Sequence, residues 1–229
     1  MNERGLFVAI EGGDGSGKGT QAELLREHYS EILGREVLKL SFPRYKQASA
    51  YYVEQYLNGN YSENPNDIPA DLASLAFAID RFAVSEDILE YLNKPGGVVI
   101  ADRYVASNLA HQGAKFTDAT ERKEYYERMM QTEYEILGIP RPDKNIVLVV
   151  PTNIAQSNID KKPKREYTDR TRDIHEADAN HLDLAKANYE ELCRLYPDEF
   201  ISINCIDENG QMRSKEDVQQ EIRTLISNS

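Results

Sequence analysis

GGDGSGK, the segment from Gly12 to Lys18, decides the fold of this chain. It follows a short apolar run, Leu6 to Ile10, and precedes a helical pattern from Thr20 to Tyr29, as expected of a loop between a strand and a helix. In a loop of the form G-x-x-x-x-G-K, glycines allow positive-φ turns that aim backbone N–H groups inward, while the lysine and the helix N-terminus add positive potential. The segment therefore predicts a phosphate-binding loop after the first strand of an α/β fold.

The residues expected to bind the phosphates of ATP lie in this loop and in the first turn of the following helix. They are Gly12, Gly13, Gly15, Ser16, Gly17, Lys18, Gly19 and Thr20. Gly19 stands where many such loops carry a Ser or Thr that holds magnesium, so the hydroxyl must come from Thr20 or the metal must be held through water. A phosphate loop alone leaves nucleotide switches, motors and kinases open.

Short apolar runs alternate with longer helical patterns along the chain, as in a βαβ series. One helical pattern repeats apolar residues from Leu72 to Ala83, and another, capped by Ser214 and Asp217, follows the last apolar run. Near-continuous apolar strands joined by helices are typical of a parallel sheet covered on both faces. The expected strands are Leu6 to Ile10, Glu36 to Leu40, Val98 to Ala101, Ile146 to Val150 and Phe200 to Ile203.

Length, composition and charge narrow the class of protein. The chain has 229 residues, 40% of them hydrophobic, and no linker or repeat that would divide it, so one domain spanning residues 1–229 is expected. Its net charge of -12 repels nucleic acids and anionic membrane surfaces at long range, so neither is an expected partner. The two cysteines lack the spacing of a zinc site or a disulfide framework, and the first apolar run is too short for a signal sequence or a membrane span. A cytoplasmic protein is expected.

A second group of polar residues, Asp102-Arg103-Tyr104, follows the buried run VVIA. This position is the carboxyl end of a strand, where open α/β sheets bind ligands. Asp102 can orient magnesium and its waters, and the rigid fork of Arg103 can brace an acceptor phosphate. A helix cap beside a surface arginine is the alternative interpretation.

The chain resembles thymidylate kinases in four motifs, which occur in the order and at the approximate separations found in that family. The motifs are IEGGDGSGKGTQ around the phosphate loop, SFPRY at residues 41–45, FAIDR at residues 77–81 and ADRYVASNLAHQGAK at residues 101–115. The resemblance implies an α/β fold of the P-loop kinase type, with three α/β/α layers, a five-stranded parallel sheet and a mobile lid at residues 155–180. It also implies phosphorylation of dTMP to dTDP with ATP as donor and Mg²⁺ as cofactor, and usually a homodimer.

The resemblance assigns roles to individual residues. Asp14 takes the place of the loop carboxylate near the acceptor, and Lys18 contacts the transferred phosphate. The residues that it places on dTMP are Arg44 and Arg103 on the phosphate, Phe77 stacked on thymine, Arg81 donating to thymine O4, Asn108 on the base edge, Pro43 near the 5-methyl group, and Asp14, Tyr45, His111 and Gln112.

Some of these residues have a plainer interpretation. Phe77 lies on an apolar stripe and could belong to the core, Arg44 could be a surface residue, and Asn108 could cap the helix that follows. His111 stands where many family members carry an aromatic residue, often Tyr, that packs on the sugar and disfavours a 2′-hydroxyl. Weaker rejection of ribose is therefore expected. His175 likewise stands where an aromatic residue is frequent.

The stretch Asp160 to Asp173, DKKPKREYTDRTRD, breaks the apolar pattern and carries six basic and four acidic side chains. A solvated loop is one interpretation. The other starts from the phosphate loop, because one branch of the resembled family carries an Arg directly after the loop Asp, whereas Gly15 follows Asp14 here. Glycine brings no charge, so the lid is expected to supply a catalytic guanidinium. The leading candidates are Arg165 and Arg170, followed by Arg172.

Two other functions fit parts of the pattern. A deoxynucleoside kinase also uses a phosphate loop, but it phosphorylates a hydroxyl group with the help of a carboxylate base and has little use for Arg44. A regulatory or assembly protein that binds ATP without catalysis would show no transfer to any nucleoside monophosphate.

Overall fold

The computed structural model describes residues 4–160 and 179–227. Within these residues the strands form one sheet in the order β2-β3-β1-β4-β5, and every neighbouring pair is parallel. Each expected strand is confirmed to within two residues at either end. The strands are β1 (Leu6–Gly12), β2 (Val37–Ser41), β3 (Val98–Asp102), β4 (Lys144–Val149) and β5 (Phe200–Asn204).

Helices connect the strands and cover both faces of the sheet. Two of them continue into a π-helical turn, at His28–Ile32 and Gln131–Ile136. Short 3-10 turns lie at Ala48–Ala50 and Pro65–Asp67. The α-helices are α1 (Lys18–Glu27), α2 (Tyr51–Leu57), α3 (Ala70–Phe82), α4 (Ser85–Asn93), α5 (Val105–Gly113), α6 (Ala119–Met130), α7 (Thr152–Asp160), α8 (Ala179–Leu195) and α9 (Lys215–Ser227).

The core has two parts because successive strand side chains point to opposite faces. In β1, Phe7 and Ala9 are buried with residues of α4, α5, α6 and α8, whereas Val8 and Ile10 are buried with residues of α1 and α9. All four side chains are fully buried. This arrangement confirms the three-layer α/β/α fold with a five-stranded parallel sheet.

The strand register places the chemically active residues together. Ile10 pairs with Asp102, and Asp102 pairs with Ser41, so the loops after β1, β2 and β3 leave the same edge of the sheet. In parallel α/β sheets this carboxyl edge is where ligands bind.

The apolar stripe of α3 does not face the core. Leu72, Leu75, Ile79 and Phe82 share one side of the helix and are 60%, 39%, 44% and 54% exposed. The opposite side buries small and polar side chains, among them Ser74 and Ala78. The periodicity therefore predicts the helix correctly, but the side that it marks is an exposed apolar surface. Among the described residues, no helix combines the length and the apolar character needed to cross a membrane.

Candidate active site

A cleft of about 420 Å³ lies at the carboxyl edge of the sheet. The predicted site residues that line it are Asp14, Gly15, Gly17, Lys18, Gly19, Thr20, Pro43, Tyr45, Phe77, Arg81, Asp102, Arg103, Asn108, His111 and Gln112. Four predicted residues that the structure describes lie outside this lining, namely Gly12, Gly13, Ser16 and Arg44. Arg165, Arg170, Arg172 and His175 lie outside the described residues, as does most of the lid expected at residues 155–180.

The phosphate loop has the backbone shape that its glycines predict. Gly12, Gly15 and Gly17 have φ angles of +130°, +79° and +94°, in the range that side-chain-bearing residues rarely adopt. Gly17 immediately precedes α1, so the loop ends at a helix N-terminus. The ammonium group of Lys18 donates a 2.7 Å hydrogen bond to the carbonyl oxygen of Gly13 and is held over the loop. The local geometry and the positive end of α1 together make a place for phosphate groups.

Position 15 requires glycine because of a close contact as well as its φ angle. A Cβ built on Gly15 would lie 2.1 Å from the carbonyl oxygen of Ala155, in the first half of α7. The amide of Asn158, on the same helix, donates a 3.0 Å hydrogen bond to the Gly15 carbonyl. Helix α7 precedes most of the segment expected to form the lid, so the phosphate loop is in direct contact with the helix that leads into that segment.

Asp14 and Arg103 form an ion pair across the cleft, between Oδ1 and Nη2. Arg103 has a φ of 68° and its Nη1 donates to the hydroxyl of Ser107 at 3.2 Å. Burial by itself would lower the pKa of the Arg103 guanidinium, but the Asp14 carboxylate beside it raises that pKa well above its ordinary value. The cleft thus presents a permanent positive charge next to the phosphate loop, in a geometry suited to a second phosphate group.

Glu11, to which the sequence motifs assign no role, stabilises the turn that carries Arg103. Its buried carboxylate accepts hydrogen bonds from the backbone N–H of Tyr104 at 2.6 Å and from the hydroxyl of Ser107 at 2.7 Å. The hydroxyl of Tyr189 donates to it at 3.2 Å. Burial raises the pKa of Glu11. These bonds fix the turn between β3 and α5 that carries Arg103. The available signal was a carboxylate at the end of an otherwise apolar strand run.

Arg81 and Asn108 both line the cleft, and both contact Glu133. Arg81 is 2% exposed and Glu133 is completely buried. Arg81 donates from Nε and Nη2 to the two carboxylate oxygens at 2.6 and 2.7 Å. The Asn108 amide donates to Glu133 at 3.1 Å and to the carbonyl oxygen of Ser74 at 3.1 Å. Nothing in the local sequence around Glu133 marks it as a site residue, so it could not be predicted from the sequence.

Arg44 is held away from the cleft by Asp80. Its Nε donates to an Asp80 carboxylate oxygen at 3.1 Å, and its Nη2 donates to the hydroxyl of Ser49 at 2.9 Å. The backbone N–H of Arg44 also donates to Asp80, at 2.7 Å. The role of Arg44 on the substrate phosphate stays a prediction. Phe77 lines the cleft and packs beside Tyr56 with ring centroids 6.1 Å apart.

His111 forms a pair with a second histidine. Its Nδ1 lies 3.3 Å from Nε2 of His181, and the two rings are stacked with centroids 5.5 Å apart. Burial lowers the pKa of His111 well below its ordinary value of 6.5, and the nearby charges of Arg103 and His181 lower it further. His111 is therefore neutral at physiological pH. His181 lies on α8, far from His111 in sequence, and no pattern around it predicts this pairing.

Asp102 lies against the first turn of α1. A Cβ built on Gly19 would lie 3.0 Å from Asp102 Oδ2, so the missing side chain at position 19 leaves room for this carboxylate. The exposed Thr20 follows in the same turn. Among the described residues there is no cluster of three or more His, Cys, Asp or Glu side chains that could hold a metal. The oxygen donors of Asp102 and Thr20 fit a magnesium ion, which typically binds one or two protein oxygens and takes its other ligands from substrate phosphates and water.

The chain is similar to thymidylate kinases in sequence and in structure. A family model described as thymidylate kinase matches residues 10–222. The thymidylate kinase of Mycobacterium tuberculosis is 35% identical over 190 residues, which cover 82% of this chain and 85% of that protein. The thymidylate kinase of Pediococcus pentosaceus is 30% identical over 207 residues, which cover 89% of this chain and 91% of that protein. A solved structure of the thymidylate kinase of Candida albicans has a TM-score of 0.69 at 20% identity and covers 98% of this chain and 92% of its own, a likeness of fold.

Proposed function

This chain belongs to the thymidylate kinase family, and we propose that its cleft transfers the γ-phosphoryl group of ATP to the phosphate of dTMP, giving dTDP and ADP. One observation carries the proposal for this particular chain. A single cleft is lined by residues of a phosphate loop, by the Asp14–Arg103 ion pair, and by the buried polar side chains of Arg81 and Asn108. Such a cleft suits two phosphate groups together with a polar base.

The reaction asks for positioning and charge compensation. The nucleophile is a phosphate oxygen that is already ionised near neutral pH, so no general base is required. Lys18 would contact the transferred phosphoryl group, and the guanidinium of Arg103 would hold the acceptor phosphate. Asp14 would keep Arg103 in place through their ion pair. Water must be excluded from the closed cleft, because water would otherwise accept the phosphoryl group.

We propose Mg²⁺ as the cofactor, held through Asp102 and Thr20 directly or through water. The support is the packing of the Asp102 carboxylate against the first turn of α1, at the N-terminal end that follows the phosphate loop. When bound, the ion neutralises charge on the phosphate oxygens. Asp102 and Thr20 would orient its water ligands.

The lid is proposed to supply further positive charge from Arg165 or Arg170. The contact between Gly15 and Ala155 supports this proposal, because it excludes a side chain at the position that follows Asp14. Charge for the transferring phosphoryl group must then come from another part of the chain. The lid follows α7 directly, and it would close over ATP.

Arg81, Asn108 and Phe77 are proposed to recognise thymine, with Pro43 near its methyl group. Phe77 is partly buried and lines the cleft, so its ring is accessible to a base bound there. Tyr45, Gln112 and Arg44 complete the proposed dTMP contacts. Arg44 would contribute through its guanidinium once that group leaves Asp80 and Ser49, while its backbone N–H stays bonded to Asp80.

We propose a homodimer that packs through the exposed stripe of α3. A twofold interface uses the same surface on both subunits, and four large apolar side chains on one side of a helix suit such self-association. Leu75→Glu with Ile79→Glu should shift the protein to a monomer in sedimentation velocity. The matched control is Leu184→Glu on α8, where a leucine is exposed to a similar extent, 42%. A double variant that sediments like the wild type contradicts this interface.

A cytoplasmic location is also proposed. Cys193 and Cys205 are both free thiols, as is usual in a reducing compartment. Burial raises the pKa of each to about 11, so neither is activated as a thiolate.

The test of the function is an ADP-release assay with a panel of acceptors: dTMP, dUMP, dCMP, dGMP and thymidine. We expect dTMP to have the highest kcat/KM and thymidine to give no transfer. Discrimination against dCMP should be worth about 1–3 kcal/mol, because an amino group would face Arg81 and leave a buried donor unpaired. Preference over dUMP should be smaller, since one buried methyl group contributes about 0.8 kcal/mol. Transfer to thymidine but not to dTMP would indicate a deoxynucleoside kinase instead.

A further inference from the structure

Glu133 is the common hydrogen-bond partner of Arg81 and Asn108, the two cleft side chains proposed to recognise the base. Its carboxylate is fully buried and lies at the π-helical turn that follows α6. Both of its oxygens accept hydrogen bonds from Arg81, and Oε1 accepts a further bond from the Asn108 amide. A buried carboxylate is costly unless it is fully paired, so a residue of this kind serves a specific purpose.

The bonds to Glu133 determine which atoms of Arg81 remain for a ligand. Nε and Nη2 face the carboxylate as a two-pronged fork, which fixes the plane of the guanidinium. Nη1 makes no hydrogen bond within residues 4–160 and 179–227, and Arg81 lines the cleft. Arg81 therefore offers a hydrogen-bond donor, Nη1, to a ligand in the cleft.

The same carboxylate determines the orientation of the Asn108 amide. The amide nitrogen has two acceptors, Glu133 Oε1 and the carbonyl oxygen of Ser74, and neither can act as a donor. The amide oxygen must then point the other way. That oxygen is buried and has no hydrogen-bond partner among the described residues. Asn108, which lines the cleft, therefore offers its amide oxygen as a hydrogen-bond acceptor to a ligand there.

We propose that Glu133 is a positioning residue for base specificity: it holds Arg81 as a donor and Asn108 as an acceptor, the pattern that complements thymine O4 and N3–H. Cytosine presents the opposite pattern, an amino donor at position 4 and an acceptor at N3. With Glu133 in place, neither side chain can adapt to cytosine by rotating or flipping. The inference rests on the proposed function, since it concerns the base of the same substrate.

The test compares Glu133→Gln with the wild type, using dTMP and dCMP as acceptors and as ligands in calorimetry. Glutamine keeps the size of the side chain but brings an amide N–H₂ against Arg81 or Asn108, so both lose their fixed orientation. We expect kcat/KM for dTMP to fall about 10- to 100-fold, mainly through KM, as for hydrogen bonds that involve charged groups. The dTMP to dCMP preference should fall at least about tenfold. Glu135→Gln is the matched control, because it removes the same charge from an exposed position in the same turn.

A conservative variant keeps the test decisive if Glu133→Gln does not fold, as judged by thermal melting. Glu133→Asp retains the charge but is shorter, so it should keep kcat and lower the dTMP to dCMP preference about threefold or more. An unchanged preference in a folded Glu133 variant overturns the inference. If the wild type does not phosphorylate dTMP, the proposed function fails instead, and the calorimetric preference for dTMP over dCMP still tests the role of Glu133.

Discussion

Acidification below the ordinary histidine pKa is predicted to destabilise the fold through His111. Its ring is partly buried at the wall of the cleft, where the cationic groups near it are Arg103 and Lys18, with His181 stacked on one side and Asp14 as an opposing charge. These surroundings lower the pKa of His111 well below 6.5, so the folded protein holds a neutral ring where the unfolded chain binds a proton. The stabilising contribution is complete above about pH 6.5 and is lost as the pH falls toward the lowered pKa.

The size of the effect follows from one proton. A difference of one bound proton between the folded and unfolded states changes the free energy of unfolding by about 1.4 kcal/mol per pH unit. For a chain of this length, about 1 kcal/mol corresponds to about 2–4 °C in Tm. The contribution of His111 should therefore lower Tm by as much as about 3–6 °C for each pH unit within this window.

The assay is urea unfolding from about pH 5.5 to 7.5 for the wild type, His111→Gln and His28→Gln. Carboxylates also titrate at the acidic end, so the quantity of interest is the difference between the wild type and each variant. His111→Gln should differ from the wild type by a constant amount above about pH 6.5, and the two curves should converge below it. Burial also lowers the pKa of His28, but less, so His28→Gln should change the slope less. Parallel curves for the wild type and His111→Gln would refute a neutral buried His111.

Three further predictions concern the phosphate loop, the lid and the sugar. Gly15→Ala should lower Tm and weaken ATP binding, because the new methyl group meets the backbone of α7. The control is Gly34→Ala: Gly34 has a φ of +63° but open space around it, so this variant should show only the backbone cost of about 1–2 kcal/mol. Equal losses in the two variants would contradict the role of the contact. At least one of Arg165→Ala and Arg170→Ala should reduce turnover at saturating substrates by about two orders of magnitude or more with little change in dTMP affinity, and near-normal turnover in both and in Arg172→Ala would make the lid stretch a solvated loop. His111→Tyr should increase the preference for deoxy over ribo thymidine monophosphate, measured as the ratio of kcat/KM, and no gain would exclude His111 as the sugar contact.

Most of the fold could be predicted from the sequence because its signals are local. Each strand is a short apolar run, and the phosphate loop marks the junction of the first strand and helix. The exposure of the α3 stripe could not be predicted, since the period of 3.6 residues shows that a helix has an apolar side but not which element covers it. In this chain α3 packs against α2, α5 and α6, and Leu72 and Phe82 on its other side are left exposed.

The residues of the candidate site likewise fall into those that the sequence predicts and those that it does not. Residues of contiguous motifs, such as Lys18 and Arg103, were identified because the chemistry and the spacing are visible together. Glu133 and His181 were not, because they lie 52 and 70 residues from the partners that give them a role. Each looks unremarkable in its own segment, and the packing of α6 and α8 against α5 brings it next to side chains that line the cleft.

The most direct test of the central claim follows the phosphoryl group itself. The protein would be incubated with ATP labelled at its γ-phosphate and unlabelled dTMP, with Lys18→Ala and Arg103→Ala as comparison variants, and the products separated by anion exchange. We predict that the label appears in dTDP at the terminal phosphate, that either variant greatly reduces its appearance, and that little free phosphate forms. Label released as inorganic phosphate at the same rate with and without dTMP would contradict the account.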